Sequence, residues 1–119
     1  MDTAAKLVFV GCLGGGGVHP ELLVHDADTL QVLHRVAMPR GVQSVSAREG
    51  TGIAYAVTSE GLHLIDGRTG TLAQTIKAGV HPQGVAVDPV TGSAYVVGRT
   101  DHPLTRIETP PSVAPRAFR

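Results

Sequence analysis

The fold is decided by residues 82–97, which read PQGVAVDPVTGSAYVV. Two short apolar runs, Val85–Val87 and Ala94–Val97, flank residues 88–92, which read DPVTG. That central segment has proline at its second position and glycine at its end, as a tight turn favours. Side chains of a β-strand alternate between the two faces of a sheet, so the pattern predicts a β-hairpin. The small Ala86 suits a strand in a crowded inner position.

The same pattern recurs forty residues earlier in the chain. The run Ile53–Val57 matches Ser93–Val97, and the turn residue Asp26 matches Asp66 at the same offset. Four short strands in about forty residues are typical of one blade of a β-propeller. The repeat therefore predicts consecutive blades of similar construction.

Short β-branched runs separated by turn residues continue along most of the sequence. Fifteen glycines and eight prolines interrupt the chain, and no apolar stripe has helical spacing. We expect all-β structure with nine or ten short antiparallel strands. Nine of them are predicted at Leu7–Val10, Leu22–His25, Val32–Val36, Val42–Val45, Ile53–Val57, Leu62–Ile65, Leu72–Ile76, Val85–Val87 and Ala94–Val97.

Residues 82–97 resemble the YVTN-type β-propeller repeat, which reads Pro-x-Gly-Val-Ala-Val-Asp-Pro-x-Thr and then a strand with Tyr-Val. Residues 61–69 resemble the later half of that repeat, and the resemblance covers roughly residues 6–98. The chain contains no asparagine, so Tyr95–Gly98 stands where the signature tetrapeptide would be. The resemblance implies a β-propeller fragment of consecutive four-stranded antiparallel meander blades.

Chain length limits how much of a propeller is present. At roughly 42 residues per blade, 119 residues form about two and a half blades, whereas a closed ring needs four to eight. We expect a fragment of a longer propeller that begins at the second strand of a blade; a truncated product and a protomer completed by association are the alternatives. Residues 1–98 are assigned to the partial propeller. Residues 99–119 form a Pro/Arg-rich tail, with at most one further strand at Leu104–Glu108 before a disordered end.

Composition excludes several classes of partner. Ten basic and ten acidic side chains leave a formal charge of zero, so we expect no nucleic-acid partner. No apolar stretch approaches the length of a membrane span, so we expect no membrane insertion. The single cysteine, Cys12, allows no internal disulfide. Residues 7–12 faintly resemble a lipoprotein signal, but the apolar core is too short, and a strand with a buried cysteine is favoured.

Six histidines invite a metal interpretation: His19, His25, His34, His63, His81 and His102. None forms a compact pair with ligand spacing. A ring of axial ligands would need equivalent repeat positions, and His25 and His63 are not equivalent. We therefore assign no metal ligands.

Other polar motifs also favour structural roles. Residues 14–17 are four glycines, but no Gly-Lys-Ser/Thr follows them, so a hairpin loop is favoured over a phosphate cradle. Asp26–Asp28 is interpreted as turn chemistry, because a calcium loop needs more oxygen ligands. Ser44, Ser46 and Ser59 lack the setting of a catalytic serine. We assign no catalytic and no cofactor-binding residues.

Three functions compete. The first is a non-catalytic repeat module that acts as a binding or surface scaffold, which the family resemblance implies, often in a periplasmic or extracellular location. The second is a fragment of a phosphogluconolactonase-type hydrolase, because residues 8–11 and 21–26 are similar in layout to the opening blade of such enzymes. The third is a subunit of an electron-transfer dehydrogenase, for which we find no cofactor site.

The scaffold interpretation is favoured over an enzyme because active sites of propellers form where loops from many blades converge. The predicted inner strands offer only Gln43 and Ser44 as polar side chains. A partner protein or small-molecule ligand is expected, and open blade edges favour self-association.

Overall fold

Ten antiparallel β-strands build the part of the chain that the computed structural model describes, which comprises residues 2, 4–12, 14, 19–77, 82–98 and 104–108. Every regular element in these ranges is a strand, so the expected all-β class is confirmed. The strands are β1 (Leu7–Cys12), β2 (Glu21–Asp26), β3 (Val32–Ala37), β4 (Ser44–Arg48), β5 (Ile53–Thr58), β6 (Gly61–Asp66), β7 (Thr71–Ile76), β8 (Pro82–Val87), β9 (Ser93–Gly98) and β10 (Thr105–Glu108). No helix able to span a membrane is found among these residues.

The strands form three sheets in chain order, which we number as blades. Blade 1 contains β1–β3, blade 2 contains β4–β7 and blade 3 contains β8–β10. Each sheet is a simple antiparallel meander, as predicted for propeller blades. Only blade 2 has four strands in the described residues. In blade 1 the described strands occupy the second, third and fourth positions, because Asp2 pairs with Leu7 as Arg48 pairs with Ile53 at the start of β5.

One predicted strand was wrong in position. We expected a strand at Val42–Val45, but β4 begins at Ser44 and continues to Arg48. The reason is that Val42 is buried against Gly11, and its amide donates to the carbonyl of Cys12 in blade 1. The chain therefore crosses between two blades at this residue before the inner strand begins.

The later start of β4 also changes which polar side chains belong to the inner strand of blade 2, for which we predicted Gln43 and Ser44. Ser46 and Arg48 belong to β4 together with Ser44, whereas Gln43 precedes it. The inner strand of blade 2 thus ends in a cation that the sequence interpretation did not place there.

The hydrophobic core consists of two layers, one on each side of blade 2. The layer between blades 1 and 2 is formed mainly by Leu7, Phe9, Leu22, Val24, Val36, Met38, Val42, Ala54, Ala56 and Ile65. The layer between blades 2 and 3 is formed by Ile53, Tyr55, Val57, Leu62, Leu64, Ala94 and Val96. Alternate residues of β5 supply both layers, so all six residues of that strand are buried.

Aspartates close the β2–β3 and β6–β7 turns in the way that the repeat predicts. The Oδ1 atom of Asp26 accepts hydrogen bonds from the amides of Asp28 and Thr29 at 2.8 and 2.9 Å. The Oδ1 atom of Asp66 accepts from the amide of Arg68 at 2.9 Å. A carboxylate that satisfies backbone donors two or three residues ahead fixes the direction of the turn.

The last residue of this turn differs between the two blades. Leu30 and Gly70 each donate an amide hydrogen bond of 2.8 Å to the carbonyl of the turn aspartate. Both residues have left-handed backbone conformations, with φ of 65° at Leu30 and 76° at Gly70. This conformation costs a residue with a side chain about 1–2 kcal/mol, whereas glycine adopts it freely.

Replacing Leu30 with glycine should therefore stabilise the fold. Leu30 is 67% exposed, so little packing is lost. Because glycine also loses more backbone entropy on folding, we expect a net gain of about 0.5–1 kcal/mol in the free energy of unfolding. Urea unfolding at fixed protein concentration measures it. The matched control is Leu33→Gly, at an exposed leucine in the extended strand β3, which should lose stability; an equal loss in both variants would contradict the prediction.

Candidate functional site

Besides the phenol of Tyr55, two ionisable side chains are completely buried in the described part of the chain, one at the contact between blades 1 and 2 and one within blade 2. They are Asp2 and His63, each without exposed surface. Burial of a polar group is costly unless hydrogen bonds satisfy it, so such groups are the first places to look for a function.

Asp2 joins blade 1 to the β4–β5 turn of blade 2. Its Oδ1 atom accepts hydrogen bonds from the amides of Ala5 at 3.0 Å and Gly50 at 2.7 Å, and its Oδ2 atom accepts from the amide of Gly52 at 2.7 Å. Burial acts to raise the pKa of Asp2, but the backbone hydrogen bonds from Gly50, Ala5 and Gly52 lower it more, so this pKa lies below its ordinary value. The carboxylate is therefore ionised and holds two blades together.

Sequence reasoning missed Asp2. The available signal was its spacing: Asp2 precedes Leu7 by five residues, as Arg48 precedes Ile53 and Asp88 precedes Ser93. These three residues occupy the same position at the start of the first turn of each blade.

Removing the negative charge of Asp2 should destabilise the fold. In Asp2→Asn one side-chain oxygen can still accept, but the NH₂ group that replaces the other oxygen faces a backbone N–H that it cannot accept from, and we expect a loss of about 2–3 kcal/mol in the free energy of unfolding near neutral pH. Because the pKa of Asp2 is lower in the folded state, its contribution is present above about pH 3.8 and is lost as the pH falls through the folded pKa. Urea unfolding measures both effects. The control is Asp28→Asn, whose exposed carboxylate lies 3.7 Å from Lys6 Nζ, and it should stay within about 0.5 kcal/mol of wild type.

Arg48 holds the next pair of blades at the equivalent position. Its Nε atom donates to the carbonyl of Pro89 at 3.3 Å, and its Nη2 atom donates to the carbonyl of Val90 at 3.2 Å, both in the β8–β9 turn of blade 3. Gly92 has a φ of 80°, a left-handed conformation that favours glycine, and its lack of a side chain leaves room for Nη1 of the same guanidinium. The Asp88 carboxylate accepts from the amide of Val90 at 2.9 Å, and this hydrogen bond lowers the pKa of Asp88.

A second contact between blades 1 and 2 lies at the β6–β7 turn. Phe9 packs so closely on Gly67 that a Cβ atom there would lie 2.6 Å from the ring. The ring of His34 is 3.1 Å from the carbonyl oxygen of Arg68 and crowds Gly70 in the same way. Turn residues of one blade thus act as the docking surface for the blade before it.

His63 lies on β6 between two threonine hydroxyls. Its Nε2 atom is 2.7 Å from Oγ1 of Thr58, and its Nδ1 atom is 2.9 Å from Oγ1 of Thr75. Thr58 is buried and also accepts from the amide of Glu60 at 3.1 Å. Thr75 is exposed and lines a shallow depression together with Ser59, Glu60 and Lys77.

The residue on the far side of the His63 ring from Thr75 limits the chemistry that His63 and Thr75 can perform. A neutral imidazole can accept the proton of the Thr75 hydroxyl, as a general base does for a nucleophile. In hydrolases a carboxylate on the far side of the ring stabilises the imidazolium that forms. Here the far side is the hydroxyl of Thr58, which carries no charge. The arrangement is therefore a satisfied buried histidine that lies close to, but does not complete, a catalytic triad.

Burial lowers the pKa of His63, and the carboxylate of Glu60 opposes this shift only in part. Below about pH 6.5 the unfolded chain binds a proton that the folded chain resists, so stability falls as the pH decreases from 6.5 towards the folded pKa. We expect His63→Gln to reduce this pH dependence, whereas the matched change His19→Gln, at an exposed histidine, should leave it unchanged. Urea unfolding between pH 8 and 5 tests this, and equal slopes in wild type and His63→Gln would contradict it.

The remaining histidines do not converge. His25 Nδ1 lies 2.9 Å from the carbonyl of Leu30 in its own turn, and His34 contacts blade 2 as described above. No cluster of three or more potential metal-ligating side chains occurs among the described residues. Three predictions concern residues outside the described ranges: the positions of His81 and His102, the loop formed by Gly15–Gly17, and the disordered end at residues 109–119.

Other residues singled out in the sequence are placed as follows. Cys12 is free and half-buried at the end of β1, rather than fully buried as expected. Ser44 and Ser46 lie on β4, and Ser59 lies in the β5–β6 turn at the depression beside Thr75.

No protein-family model and no curated protein matches this sequence. Among solved structures, the hydrazine synthase of Kuenenia stuttgartiensis is similar, with a TM-score of 0.76 and 19% sequence identity. The similarity covers 92% of this chain and 31% of that chain, so this chain spans less than a third of its structural neighbour. Hydrazine synthase contains a β-propeller. At this identity the similarity shows the fold alone, and it confirms the propeller-like architecture.

Proposed function

We propose that this chain is a non-catalytic β-propeller repeat module that acts as a binding scaffold. One observation carries the proposal: each end blade presents a sheet face whose counterpart in blade 2 is completely buried. Tyr55 and Val57 of blade 2 have no exposed surface, whereas Val97, the counterpart of Val57, is 46% exposed. Faces of this kind are typical of surfaces that another protein covers.

We define the two open faces by their central residues. The leading face consists of Val8, Val10 and Leu23 of blade 1, which alternate with the residues packed on blade 2. The trailing face consists of Tyr95, Val97 and Ala86 of blade 3, on the side away from blade 2.

Several charged side chains support the same proposal, because they form hydrogen bonds that stabilise turns and contacts between blades. The carboxylates of Asp2, Asp26 and Asp66 accept backbone hydrogen bonds at turns or seams. Arg48 holds the turn of blade 3 through two carbonyls. A scaffold needs rigid blades more than reactive side chains, and these bonds supply that rigidity.

The sequence 82–97 favours the YVTN type of propeller repeat, now with β8 and β9 at the expected places in blade 3. By that resemblance we propose a periplasmic or extracellular location.

A hydrolase is the second candidate, and the Thr75–His63 pair favours it. Thr75 is exposed at the depression, and its hydroxyl lies 2.9 Å from Nδ1 of His63. This is the spacing of a nucleophile and its base. The uncharged Thr58 behind the ring argues against efficient catalysis, so we keep the scaffold as the main proposal.

An activity assay separates the two candidates. We expect the purified chain to hydrolyse δ-gluconolactone no faster than buffer does, and elemental analysis to find no near-equimolar zinc or copper. The reason is that the triad lacks a charged third member. The matched variant is Thr75→Val, which keeps the shape of the side chain and removes the hydroxyl.

The result that would overturn the scaffold proposal is hydrolysis above buffer that disappears in Thr75→Val and persists in Thr71→Val, a threonine at the other end of the same strand. A stoichiometric metal that is lost in His63→Gln would overturn it equally.

A further inference from the structure

We infer that the depression beside Thr75 binds a small oxyanion, a phosphate or carboxylate group, through the hydroxyl of Thr75 and the ammonium group of Lys77. The depression has a volume of about 470 Å³, which is within the range of small-molecule sites. Its other lining residues are Ser59 and Glu60. This inference goes beyond the scaffold proposal, because neither the leading nor the trailing face contributes to the depression.

The first support is that the hydrogen bonds behind the depression run in one direction. The amide of Glu60 donates to Oγ1 of Thr58 at 3.1 Å, and an amide N–H can only donate. Thr58 is completely buried, and its hydroxyl proton has one acceptor in the described part of the chain, Nε2 of His63 at 2.7 Å. A neutral histidine accepts at one ring nitrogen and donates at the other. The network therefore assigns the ring proton to Nδ1, which donates to Oγ1 of Thr75 at 2.9 Å.

This direction leaves the hydroxyl proton of Thr75 for a ligand. The oxygen of Thr75 accepts from His63, and no acceptor for its own proton occurs among the residues that the structure describes. Thr75 is exposed, whereas Thr58 and His63 behind it are buried. Because hydrogen bonds in a chain polarise one another, the Thr75 hydroxyl is a stronger donor than an isolated threonine. A proton on Nδ1 also prevents His63 from acting as a base toward Thr75.

The second support is the positive charge around the depression. The carboxylate of Glu60 is paired with Nε of Arg40 at 3.5 Å, so its charge is compensated. No ion pair of Lys77 is found within the described ranges. An ammonium group without a carboxylate partner, close to the hydroxyls of Thr75 and Ser59, favours a ligand group that is negatively charged and has several acceptor oxygens.

The third support is that the repeat does not require this polar group. His63 pairs with Thr75 across β6 and β7, as Leu23 pairs with Arg35 across β2 and β3. Leu23 precedes His63 by forty residues, so blade 1 has an apolar side chain at the same position of its sheet. A blade can therefore be built without the histidine, and burying a polar group is costly. Its presence in blade 2 is explained by the donor that it directs at Thr75.

Binding at this place leaves the contacts between blades intact. The β4–β5, β6–β7 and β8–β9 turns, which form those contacts, lie at one end of the strands. The depression lies at the opposite end of blade 2, between the β5–β6 turn and the end of β7. A ligand there meets side chains that the fold does not use to join its blades.

Nuclear magnetic resonance titration of the full chain tests the inference, with inorganic phosphate and acetate as separate probes. We expect saturable shifts at Thr75 and Lys77 with at least one probe, in the millimolar range for so small a ligand. Binding of only one probe identifies the oxyanion group, and sodium chloride at the same ionic strength is the control for screening.

Two matched pairs of variants assign the binding to the named groups. Thr75→Val removes the hydroxyl, and its control is Thr71→Val at the other end of β7. Lys77→Gln removes the charge, and its control is Lys6→Gln, at an exposed lysine that pairs with Asp28. We expect Thr75→Val and Lys77→Gln each to raise the dissociation constant about tenfold, and both controls to leave it unchanged.

The direction of the hydrogen bonds has its own readout. The ring nitrogen shifts of His63, measured at a pH where the ring is neutral, show which nitrogen carries the proton. A proton on Nδ1 supports the directed donor, whereas a proton on Nε2 would overturn it, because the Thr75 hydroxyl would then donate to the ring instead of the ligand.

Three binding results would also overturn the inference: no saturable shift with either probe, shifts that sodium chloride reproduces, or equal affinity in the members of a matched pair. Circular dichroism shows whether each variant is folded, and if Thr75→Val unfolds, the lysine pair decides. None of these results concerns the open faces. The scaffold proposal therefore stands or falls on the activity assay alone.

Discussion

The structure depends on one constraint: a blade can bury both faces of its sheet only against neighbouring blades. In β5 all six residues are buried, so the centre of blade 2 is closed to water on both faces of the sheet, whereas its outer strand β7 is exposed. A polar group buried there is costly without a partner, and His63 meets this requirement between the hydroxyls of Thr58 and Thr75. In the described part of the chain, blades 1 and 3 each pack on blade 2, and Val10 and Val97 on their other faces are 40% and 46% exposed.

At the contacts between blades, the same repeat position is occupied by different residues that form different kinds of hydrogen bond. The Asp2 carboxylate accepts hydrogen bonds from backbone amides of the β4–β5 turn in blade 2, whereas the Arg48 guanidinium donates to a backbone carbonyl of the β8–β9 turn in blade 3. Asp88, the third equivalent, accepts amides of its own turn instead. The backbone presents both donors and acceptors at a turn, so an anion and a cation can each lock two blades. The place of this residue in the blade is thus the same in all three repeats, while the charge of its side chain differs.

Periodic features of the fold could be predicted from the sequence, because each depends on local patterns. The forty-residue offset, the turn aspartates Asp26 and Asp66, and the all-β class belong to this group. Contacts between blades could not be predicted in the same way. The burial of Asp2 depends on Gly50 and Gly52 almost fifty residues away, and the late start of β4 depends on the packing of Val42 against Gly11. A single sequence carries no local signal for such long-range contacts, although equal spacing across repeats would have pointed to Asp2.

Charged side chains stabilise turns and contacts between blades, whereas apolar side chains lie on the exposed faces. This explains why the polar residues gave so little evidence of a catalytic site. Charged groups that cap turns are held in place by several backbone bonds, and the pKa of Asp2 is lowered as a result. A group held in this way is poorly suited to proton transfer, since the hydrogen bonds favour one protonation state over the working pH range. The surfaces that remain unsatisfied are apolar, at Val10 and Val97. Covering apolar surface lowers the free energy, and the exposed valines therefore agree with the binding role proposed above.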